Sequence, residues 1–389
     1  MLKKLQYYSN KIEELEQKYG LSFYPQEFEL INKPDMLAYM AYEGFINHYP
    51  HWSFGKMYDK LKYLGESFEI VINNNPCVAY LLASNSLLTQ IMTIAHVFAH
   101  NDFFKNNARF ANSTSDALTM FSSHNNRIRS LIKLHGYKAV EHILDIAHSL
   151  KFYSHENSIL DFIIKNSYIP DWHKTILEIV MLQSRYLQPQ LETKIINEGW
   201  ATFWHYKILH DLNLPSDLHF EFLILHNKII APTSENSINP YLLGFNIWSD
   251  IFQNCNINKM LSIRSQCDDN LFIKNYLTPE LIKKINLFIT HDKNNHLQNY
   301  ADYTKVQIIL LNNIALNNVP KIHIIEYNNH SFILSHLYDG RDLDLFYTTQ
   351  TLKYIQTLLH RSVILFTNFS GVNRKIICDI ETKIHIENC

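Results

Sequence analysis

The feature that most constrains this chain is an apolar stretch over residues 79–99 that contains no Asp, Glu, Lys or Arg. Its apolar residues recur at helical spacing, and a helix that lacks a charged face has to be buried in a core. Ser, Asn, Thr and Gln interrupt the stretch, so it lacks the roughly 18 uninterrupted apolar residues that a membrane-spanning helix needs. We therefore predict a buried helix inside a large globular core, and no membrane span.

The composition narrows the class of protein further. The chain has 389 residues, of which 47% are apolar and 19% charged, as in ordinary globular proteins. A net charge of −2 without any long Lys/Arg run argues against nucleic-acid binding. The five cysteines are scattered and form no CxxC pair, so they are expected to be reduced thiols. Because the N-terminus lacks the apolar segment of a secretory signal, we expect a cytoplasmic protein.

Periodicity and stop signals predict a mainly α-helical domain over residues 1–268. Helices are expected, besides the buried one, at residues 5–20, 35–49, 115–134, 137–151, 157–166, 172–187, 191–212 and 216–229, with another opened by Asn239 and Pro240. The alternating, β-branched segment 68–73 predicts a short edge strand. The expected class of this domain is mainly α with a short edge strand or sheet.

The pattern changes after residue 268, and the domain boundary is expected near residues 268–283. Residues 269–389 predict a small α+β domain with the order β-α-β-β-α-β, as in ferredoxin-like folds. The expected elements are a strand at 285–290, a helix at 303–317, a hairpin at 321–327 and 331–337, a helix at 347–361, a strand at 363–367 and a last hairpin within 376–386.

Two histidines on the predicted buried helix form the first candidate site. His96 and His100 are four residues apart, so their imidazoles share one helix face, as in helices that present two nitrogens to one zinc ion. In HExxH enzymes a glutamate follows the first histidine and acts as the general base, whereas this chain has Val97 there. Since the chain has 21 histidines, the spacing alone also fits two ordinary core histidines.

A second candidate segment is the predicted helix that contains Glu198. Glu198 and His205 lie seven residues apart and face the same way, while Gly199 would let another helix approach closely. Trp200 and Trp204 would supply a packed wall that excludes water. A glutamate on a second helix is the expected third ligand of a His₂Glu metal site. The alternative is a core helix whose Glu198 pairs with a buried basic residue.

Other residues are candidates for the surroundings of such a site. His51, Trp52 and Lys56 lie in a turn-like segment that either lines a pocket or forms an aromatic cluster with exposed polar tips. Asn101 and Asp102 follow the second histidine, and either one accepts a hydrogen bond from a ligating imidazole or the two belong to a polar turn that ends the helix.

Two further segments complete the candidate residues. His226 is expected on a helix that faces the same region, ahead of the close-packed helix start at Asn239, Pro240 and Gly244. An internal pair between Asp339 and Arg341 is the favoured reading of the charged turn at residues 336–344.

Several of these strings together resemble the SpoVR (stage V sporulation protein R-like) family. They are HWSFGK at 51–56, FEIVINNNPCVAYLL at 68–82, AHVFAHNDFFKNN at 95–107, PQLETKIINEGWATFWH at 189–205, INPYLLGF at 238–245 and HLYDGRDLDL at 336–345. The resemblance implies a link to spore cortex formation or stress physiology, without an assigned reaction, and a functional link to a serine protein kinase.

The resemblance also favours the metal interpretation, because the histidine pair and the Glu-Gly-Trp-Ala helix are both family hallmarks. An extended segment, then HxxxH, then a distant glutamate looks like the zincin plan. The expected ligands of a divalent metal, zinc in the first place, are His96, His100 and Glu198. Because Val97 cannot act as a base, Glu192, Glu69 or His205 would have to replace it.

Three functions stay open on the sequence. The first is a metal-dependent hydrolase of peptide or amide bonds, with His205 as a fourth ligand or an acid/base group. The second is a non-catalytic regulatory or scaffold protein with a structural metal or a buried polar site. The third is a small-molecule or peptide-binding module that uses the aromatic side chains of Trp52, Phe54, Trp200 and Trp204.

Overall fold

A computed structural model of the chain describes residues 2–62, 69–153, 158–233, 238–287 and 303–389. Within these ranges the chain is mainly helical, as expected. Its sixteen α-helices are α1 (Leu2–Lys18), α2 (Lys33–Ala41), α3 (Trp52–Leu61), α4 (Leu87–Asn106), α5 (Ala117–His135), α6 (Tyr137–Ser149), α7 (Ile159–Asn166), α8 (Asp171–Glu192), α9 (Lys194–Asp211), α10 (Ser216–Ile229), α11 (Pro240–Asn254), α12 (Ile257–Gln266), α13 (Asp269–Tyr276), α14 (Pro279–Lys284), α15 (Tyr303–Asn313) and α16 (Leu345–Leu359). None of the helices in these ranges is long and apolar enough to cross a membrane.

The described strands form two separate sheets. The first has three strands in the order β1-β3-β2, and the second has five in the order β4-β5-β6-β7-β8. The strands are β1 (Gln26–Ile31), β2 (Glu69–Ile72), β3 (Cys77–Leu82), β4 (Ile322–Tyr327), β5 (Ser331–His336), β6 (Ser362–Phe369), β7 (Val372–Cys378) and β8 (Ile384–Asn388).

The chain divides into two compact units that are not contiguous in sequence. Unit 1 contains residues 1–48, 52–120 and 189–315, and unit 2 contains residues 49–51, 121–188 and 316–389. Each unit therefore combines segments that are far apart along the chain. The predicted boundary near residue 268 describes a division along the sequence and stays a prediction.

The core of unit 1 is built around β3 and α4. Every residue of β3 is buried: β1 pairs with it in parallel on one edge, β2 pairs with it antiparallel on the other, and helices α2 and α4 contact it. The prediction of one helix over residues 79–99 is therefore wrong at its start, where residues 79–82 belong to β3. An apolar run that is buried on all sides has no periodicity to separate strand from helix. The predicted edge strand at 68–73 is confirmed as β2, although Phe68 lies outside the described residues.

Helix α4 is enclosed along nearly its whole length. The Ser86 side chain caps its first turn by accepting a hydrogen bond from the Thr89 amide, and residues 88–104 are all buried. This agrees with a helix that lacks a charged face. It packs against α1 and α9, and the largest fully buried side chains beside it are Trp200, Trp204 and Trp248.

Helices α9 and α11 touch through their backbones. A Cβ atom built on Gly199 would lie 2.4 Å from the Cα of Gly244, and one built on Gly244 would lie 2.3 Å from the carbonyl oxygen of Ile195. Side chains normally hold helix axes about 8–10 Å apart, so only the two glycines permit this approach. The close contact predicted for Gly199 and Gly244 is present.

Unit 2 contains the second sheet with α16 between two of its strands. β5 and β6 are parallel and joined through α16, whereas the other neighbouring pairs are antiparallel. The predicted hairpin at 321–337, the helix at 347–361 and the last hairpin are all found. The predicted strand at 285–290 is wrong in its described part, because residues 285–287 form a turn after α14, and residues 288–290 lie outside the described residues. The helix α15 that follows belongs to unit 1.

One acid inside unit 1 has unusual surroundings. Glu16 on α1 is completely buried, and neither carboxylate oxygen has a hydrogen-bond partner among the described residues. Burial, followed by the nearby Asp102 and Glu13 carboxylates, raises the pKa of Glu16 well above its usual range. The protonated, neutral form of this side chain is therefore favoured in the folded protein.

Substituting Gly244 by Ala tests the backbone contact between α9 and α11. The new methyl group has to push the helices apart, and overpacking of this kind costs about 1–3 kcal/mol of unfolding free energy or more. Gly55 on α3 is the matched control, since a Cβ there meets nothing within 4 Å. Gly55→Ala should stabilise by up to about 1 kcal/mol through helix propensity. Urea denaturation measures both, and a Gly244→Ala protein as stable as wild type would contradict the contact.

Glu16→Gln should flatten the pH dependence of stability. A carboxyl whose pKa is higher in the folded than in the unfolded protein stabilises the fold at low pH, and this contribution is lost as pH rises above the unfolded value of about 4.5. The wild type should therefore lose more unfolding free energy between pH 5 and pH 8 than Glu16→Gln does, in urea titrations with a chelator present. Glu280→Gln, which changes an exposed carboxylate at the start of α14, should behave as wild type. Equal slopes for Glu16→Gln and wild type would refute the burial argument.

Candidate metal centre

His96 and His100 project from the buried helix α4 toward α9. The Nε2 atoms of the two imidazoles are 3.0 Å apart, and both residues are at least 94% buried, with 5% and 6% exposure. Their four-residue spacing places both rings on one helix face. The two nitrogens thus converge on a single point next to the neighbouring helix.

Glu198 on α9 meets this point from the other side. Its Oε2 lies 3.4 Å from Nε2 of His100 and 3.6 Å from Nε2 of His96. Ligands bound to one tetrahedral ion at about 2 Å lie about 3.3 Å from each other. The three atoms therefore have the separations of a single ion's ligand set, and within the described residues they form the one His, Cys, Asp and Glu cluster of three or more with metal-ligand spacing.

The chemistry of the donors also fits a metal ion. Oε2 of Glu198 is buried and has no hydrogen-bond partner in the described part of the chain. Burial on its own would raise the pKa of Glu198, but the His100 and His96 imidazoles outweigh it and hold the pKa well below the usual range. The carboxylate is therefore charged, and a buried anion is stabilised by a cation in front of it, either a protonated imidazole or a metal ion.

The second nitrogen of each imidazole is held by another residue. His100 Nδ1 lies 2.8 Å from Oδ1 of Asn197, and His96 Nδ1 lies 3.1 Å from Nδ1 of His205. Such contacts fix the ring orientation and leave each Nε2 lone pair free for a metal. The orienting role that the sequence suggested for Asn101 or Asp102 thus belongs to Asn197 and His205. Asn197 immediately precedes Glu198, and this neighbouring amide is the signal that sequence reasoning missed.

Asn101 and Asp102 support the framework instead of contacting the imidazoles. Asn101 bonds the backbone of Tyr24 in both directions, and Asp102 accepts hydrogen bonds from Ser22 N, Trp200 Nε1 and Arg264 Nη1. Burial raises the pKa of Asp102 to about 6 although Arg264 opposes this. These bonds tie α4, α9 and α12 together behind the cluster.

His205 and His226 extend the histidine cluster away from the ligand atoms. Nε2 of His205 lies 3.0 Å from Nδ1 of His226 on α10, and both side chains are buried. Burial, then the neighbouring imidazoles, lowers the pKa of His205 well below its usual range, and burial lowers the pKa of His226 to about 4. Because His205 contacts the Nδ1 side of His96, it does not face the point where the three ligand atoms converge. Its predicted role as a fourth ligand is therefore not supported by the geometry.

Two more polar side chains border the cluster. Glu69, the first residue of β2, places Oε1 3.8 Å from Nε2 of His96, and burial raises its pKa. Tyr241 at the start of α11 lies with its ring 6.2 Å from that of His96, and the charge of Glu198 followed by burial raises its pKa well above the usual range. Tyr241 was missed on the sequence, although its position three residues before Gly244 places it beside α9.

The remaining candidates lie in other surroundings. Glu192 forms an ion pair with Arg109 at 3.4 Å, which argues against its predicted catalytic role. Lys56 lies 4.5 Å from the ring centre of Trp52, which is 48% exposed, unlike the buried cluster. In unit 2, His51 bonds Asp145 at 3.1 Å, and Arg341 pairs with Asp339 as predicted.

Comparisons with known proteins agree with the sequence motifs. A family model described as "SpoVR like protein" matches residues 1–158 and 152–319. A protein of Escherichia coli (strain K12), named "Uncharacterized protein YcgB", is 28% identical over 423 aligned residues, which cover 82% of this chain and 82% of that protein. No solved structure matches this chain. Because the family matches run through most of the chain and include His96, His100 and Glu198, the chain belongs to the SpoVR family.

Proposed function

We propose that this protein is a metal-dependent hydrolase of peptide or amide bonds, with zinc held by His96, His100 and Glu198. The observation that carries the proposal is the convergence of two Nε2 atoms and one Oε2 atom at 3.0–3.6 Å, with that oxygen buried and lacking a hydrogen bond. Neutral imidazole and carboxylate are the ligands of His₂Glu zinc sites. Zinc in such a site acts as a Lewis acid on a carbonyl and on water.

Three protein ligands leave one coordination position for substrate or water, as catalytic zinc requires. His205 is turned toward Nδ1 of His96 and does not fill this position. Glu69 borders the cluster but lies outside the group whose ligand atoms are all within 4.8 Å of one another. Both observations favour an open site over a closed structural one.

Glu69 is our candidate for the general base that Val97 cannot supply. Its carboxylate reaches the same Nε2 of His96 that would bind the metal, so a water held at the open position would lie next to it. Tyr241 borders Glu198 from α11, and its phenol can donate a hydrogen bond to the oxygen that becomes negative when the carbonyl is attacked. In this arrangement the base comes from a strand instead of from the residue after the first histidine, and the order of strand, histidine helix and glutamate helix is zincin-like.

The position of β2 supports a peptide substrate. In the order β1-β3-β2 it is the edge strand of the described sheet, and Glu69 is its first residue. An extended polypeptide that pairs with an edge strand gains backbone hydrogen bonds. A chain bound there would pass the metal with its backbone carbonyls.

A second candidate function is a regulatory or scaffold protein with a structural metal. The observation that favours it is the 3.8 Å between Glu69 and His96, because a small movement of this carboxylate would give a fourth ligand and close the site. The role of Glu69 therefore separates the two functions.

Metal analysis tests the ligand set. Purified wild type should contain about one equivalent of zinc, and Glu198→Gln should bind zinc at least about 100-fold more weakly, because the variant loses a charged ligand that faces two imidazoles. Glu192→Gln is the matched control on the preceding helix and should keep wild-type affinity. Chelator competition measures affinity, and circular dichroism verifies folding. Zinc affinity that is unaffected by Glu198→Gln would remove the site.

The substitution Glu69→Gln tests whether Glu69 acts as the general base or as a fourth ligand of the metal. If Glu69 is the base, the variant keeps zinc, and turnover of a fluorogenic peptide library falls by about 10²–10⁴-fold. Tyr241→Phe should also keep zinc and lose about 10²–10³-fold in turnover. Glu27→Gln on β1, the opposite outer strand of the same described sheet, where the side chain is exposed, is the control. Loss of zinc from Glu69→Gln would instead support the structural-metal function.

A further inference from the structure

Strand β8 lies at one end of the second sheet and has an unpaired edge. In the described sheet, whose order is β4-β5-β6-β7-β8, it pairs with β7 alone. Four of the five residues of Ile384–Asn388 are exposed. An exposed edge strand presents a row of backbone N–H and C=O groups to which another strand can pair.

The ladder between β7 and β8 shows which backbone groups of β8 are already used. Two hydrogen bonds mark its ends, from the Cys389 amide to the Asn373 carbonyl and from the Asp379 amide to the Lys383 carbonyl, both 3.0 Å. Residues in an antiparallel ladder alternate between hydrogen-bonded and non-hydrogen-bonded pairs. The odd-numbered residues of β8 therefore bond to β7, and the even-numbered residues point their N–H and C=O groups away from the sheet.

The residues with outward backbone groups are Ile384, Ile386 and Asn388. Their side chains share the face on which Ile376 and Cys378 are buried, because these two residues pair directly with Ile386 and Ile384. Ile386 is nevertheless 42% exposed, at the outer edge of the described sheet. An apolar side chain and outward backbone groups therefore coincide at the centre of this edge.

The opposite edge of the same sheet is built differently. The pairing of β4 with β5 has a register irregularity between Ile324 and Glu326. Bulges twist an edge strand and are one of the devices by which proteins prevent edges from pairing. The register of β8 with β7 is regular, and Ile384–Asn388 contains neither Pro nor Lys. The edge at β8 is therefore the better template for another strand.

A second copy of β8 fits this edge in an antiparallel register with a twofold axis at Ile386. Each outward residue then meets an outward residue, since Ile386 lies opposite Ile386 and Ile384 lies opposite Asn388 of the second copy. Each of these pairs can exchange both of its N–H···O bonds. The register is centred on the strand, so all five residues of each copy are paired.

The same register also matches the side chains on the other face. His385 of each copy lies opposite Glu387 of the other, whereas an axis at either of these residues would place two identical side chains opposite each other. Opposite charges directly across a strand pair are favourable, and like charges are unfavourable. His385 contacts Asp379 at 2.8 Å and Glu387 contacts Lys375 at 3.7 Å, so basic and acidic groups would alternate across the junction.

We propose that β8 is a self-association surface, through which two copies of this chain pair antiparallel and join their second sheets into one. The inference does not depend on the metal site or on the hydrolase. Five paired residues on each side are fewer than the roughly 20–30 of a standard interface, so we expect weak and reversible association.

Sedimentation velocity on the intact chain tests the dimer over about 1–200 μM protein, a range suited to a micromolar dissociation constant. A reductant excludes disulfide-linked pairs through the exposed Cys255 and Cys389. Wild type should change from monomer to dimer as its concentration rises. Ile386→Pro removes an outward N–H and should weaken association at least about 10-fold, because Pro is tolerated in edge strands where its nitrogen faces solvent. Circular dichroism verifies folding.

A charge exchange tests the register. His385→Glu and Glu387→Lys should each self-associate about 3–30-fold more weakly than wild type, because two matched pairs are lost in each dimer. Mixed in equal amounts, the two variants should associate with each other. The new carboxylate at position 385 then faces the new amine at position 387, and the native His385 faces the native Glu387. Glu326→Lys, at an exposed carboxylate on β4, is the control and should associate as wild type.

The contrary outcomes identify which step of the inference fails. A wild type that stays monomeric over the whole concentration range overturns the self-association. A dimer that Ile386→Pro forms as strongly as wild type overturns β8 as its surface. A mixture of the two charge variants that associates no better than either variant alone overturns the register. Zinc content and peptide cleavage are measured separately, so failure of the hydrolase leaves these results unchanged.

Discussion

The backbone contact between Gly199 and Gly244 is the constraint on which the site depends. With no side chain between them, α9 and α11 come close enough for a residue at the start of α11 to border a residue of α9. Tyr241 thereby comes beside Glu198, and Trp248 reaches the carbonyl oxygen of Ile196 at 3.0 Å. A Cβ at either glycine would separate the helices and move the phenol away from the carboxylate. The close approach of α9 and α11 at their two glycines thus determines how Tyr241 lies relative to Glu198.

The hydrogen bonds of Asp102 stabilise the packing of the helices, and they differ in this from the cluster of His96, His100 and Glu198. Asp102 joins Ser22, Trp200 and Arg264, so one buried carboxylate fixes α4 relative to α9 and α12. Nearly every atom of this network is satisfied by the protein, whereas Oε2 of Glu198 is not. Satisfied buried polar groups hold the helices in place, whereas an unsatisfied oxygen that faces two imidazoles is the observation on which the proposed metal site rests.

Much of this could be predicted from the sequence, and the failures have physical reasons. The helices from α5 to α11, the edge strand and the C-terminal hairpins follow from periodicity and stop signals. Strand β3 could not be separated from a helix, because burial on both faces erases the alternation that marks a strand. Spacing correctly placed His96 and His100 on one helix face, whereas Glu198 was named as their partner from the His₂Glu pattern and the family resemblance, and spacing wrongly predicted that His205 would face the same point. The roles of Asn197, Tyr241 and Glu69 depend on how separate elements pack, and spacing within one segment carries no information about that. The metal and the cytoplasmic location stay predictions.

The burial of α4 accounts for a valine at position 97, where HExxH enzymes carry a glutamate. Val97 is completely buried, so a carboxylate at that position would enter the apolar core. The face of α4 that points to α9 already carries both imidazoles. A carboxylate that acts as the general base of the proposed hydrolase would therefore have to come from another element. Glu69 arrives from β2, and its Oε1 lies 3.8 Å from the same Nε2 of His96 that lies 3.6 Å from Oε2 of Glu198. If Glu69 is the general base, as proposed, the strand that would align an extended substrate would also carry the proton acceptor, so binding and proton transfer would depend on the same backbone segment.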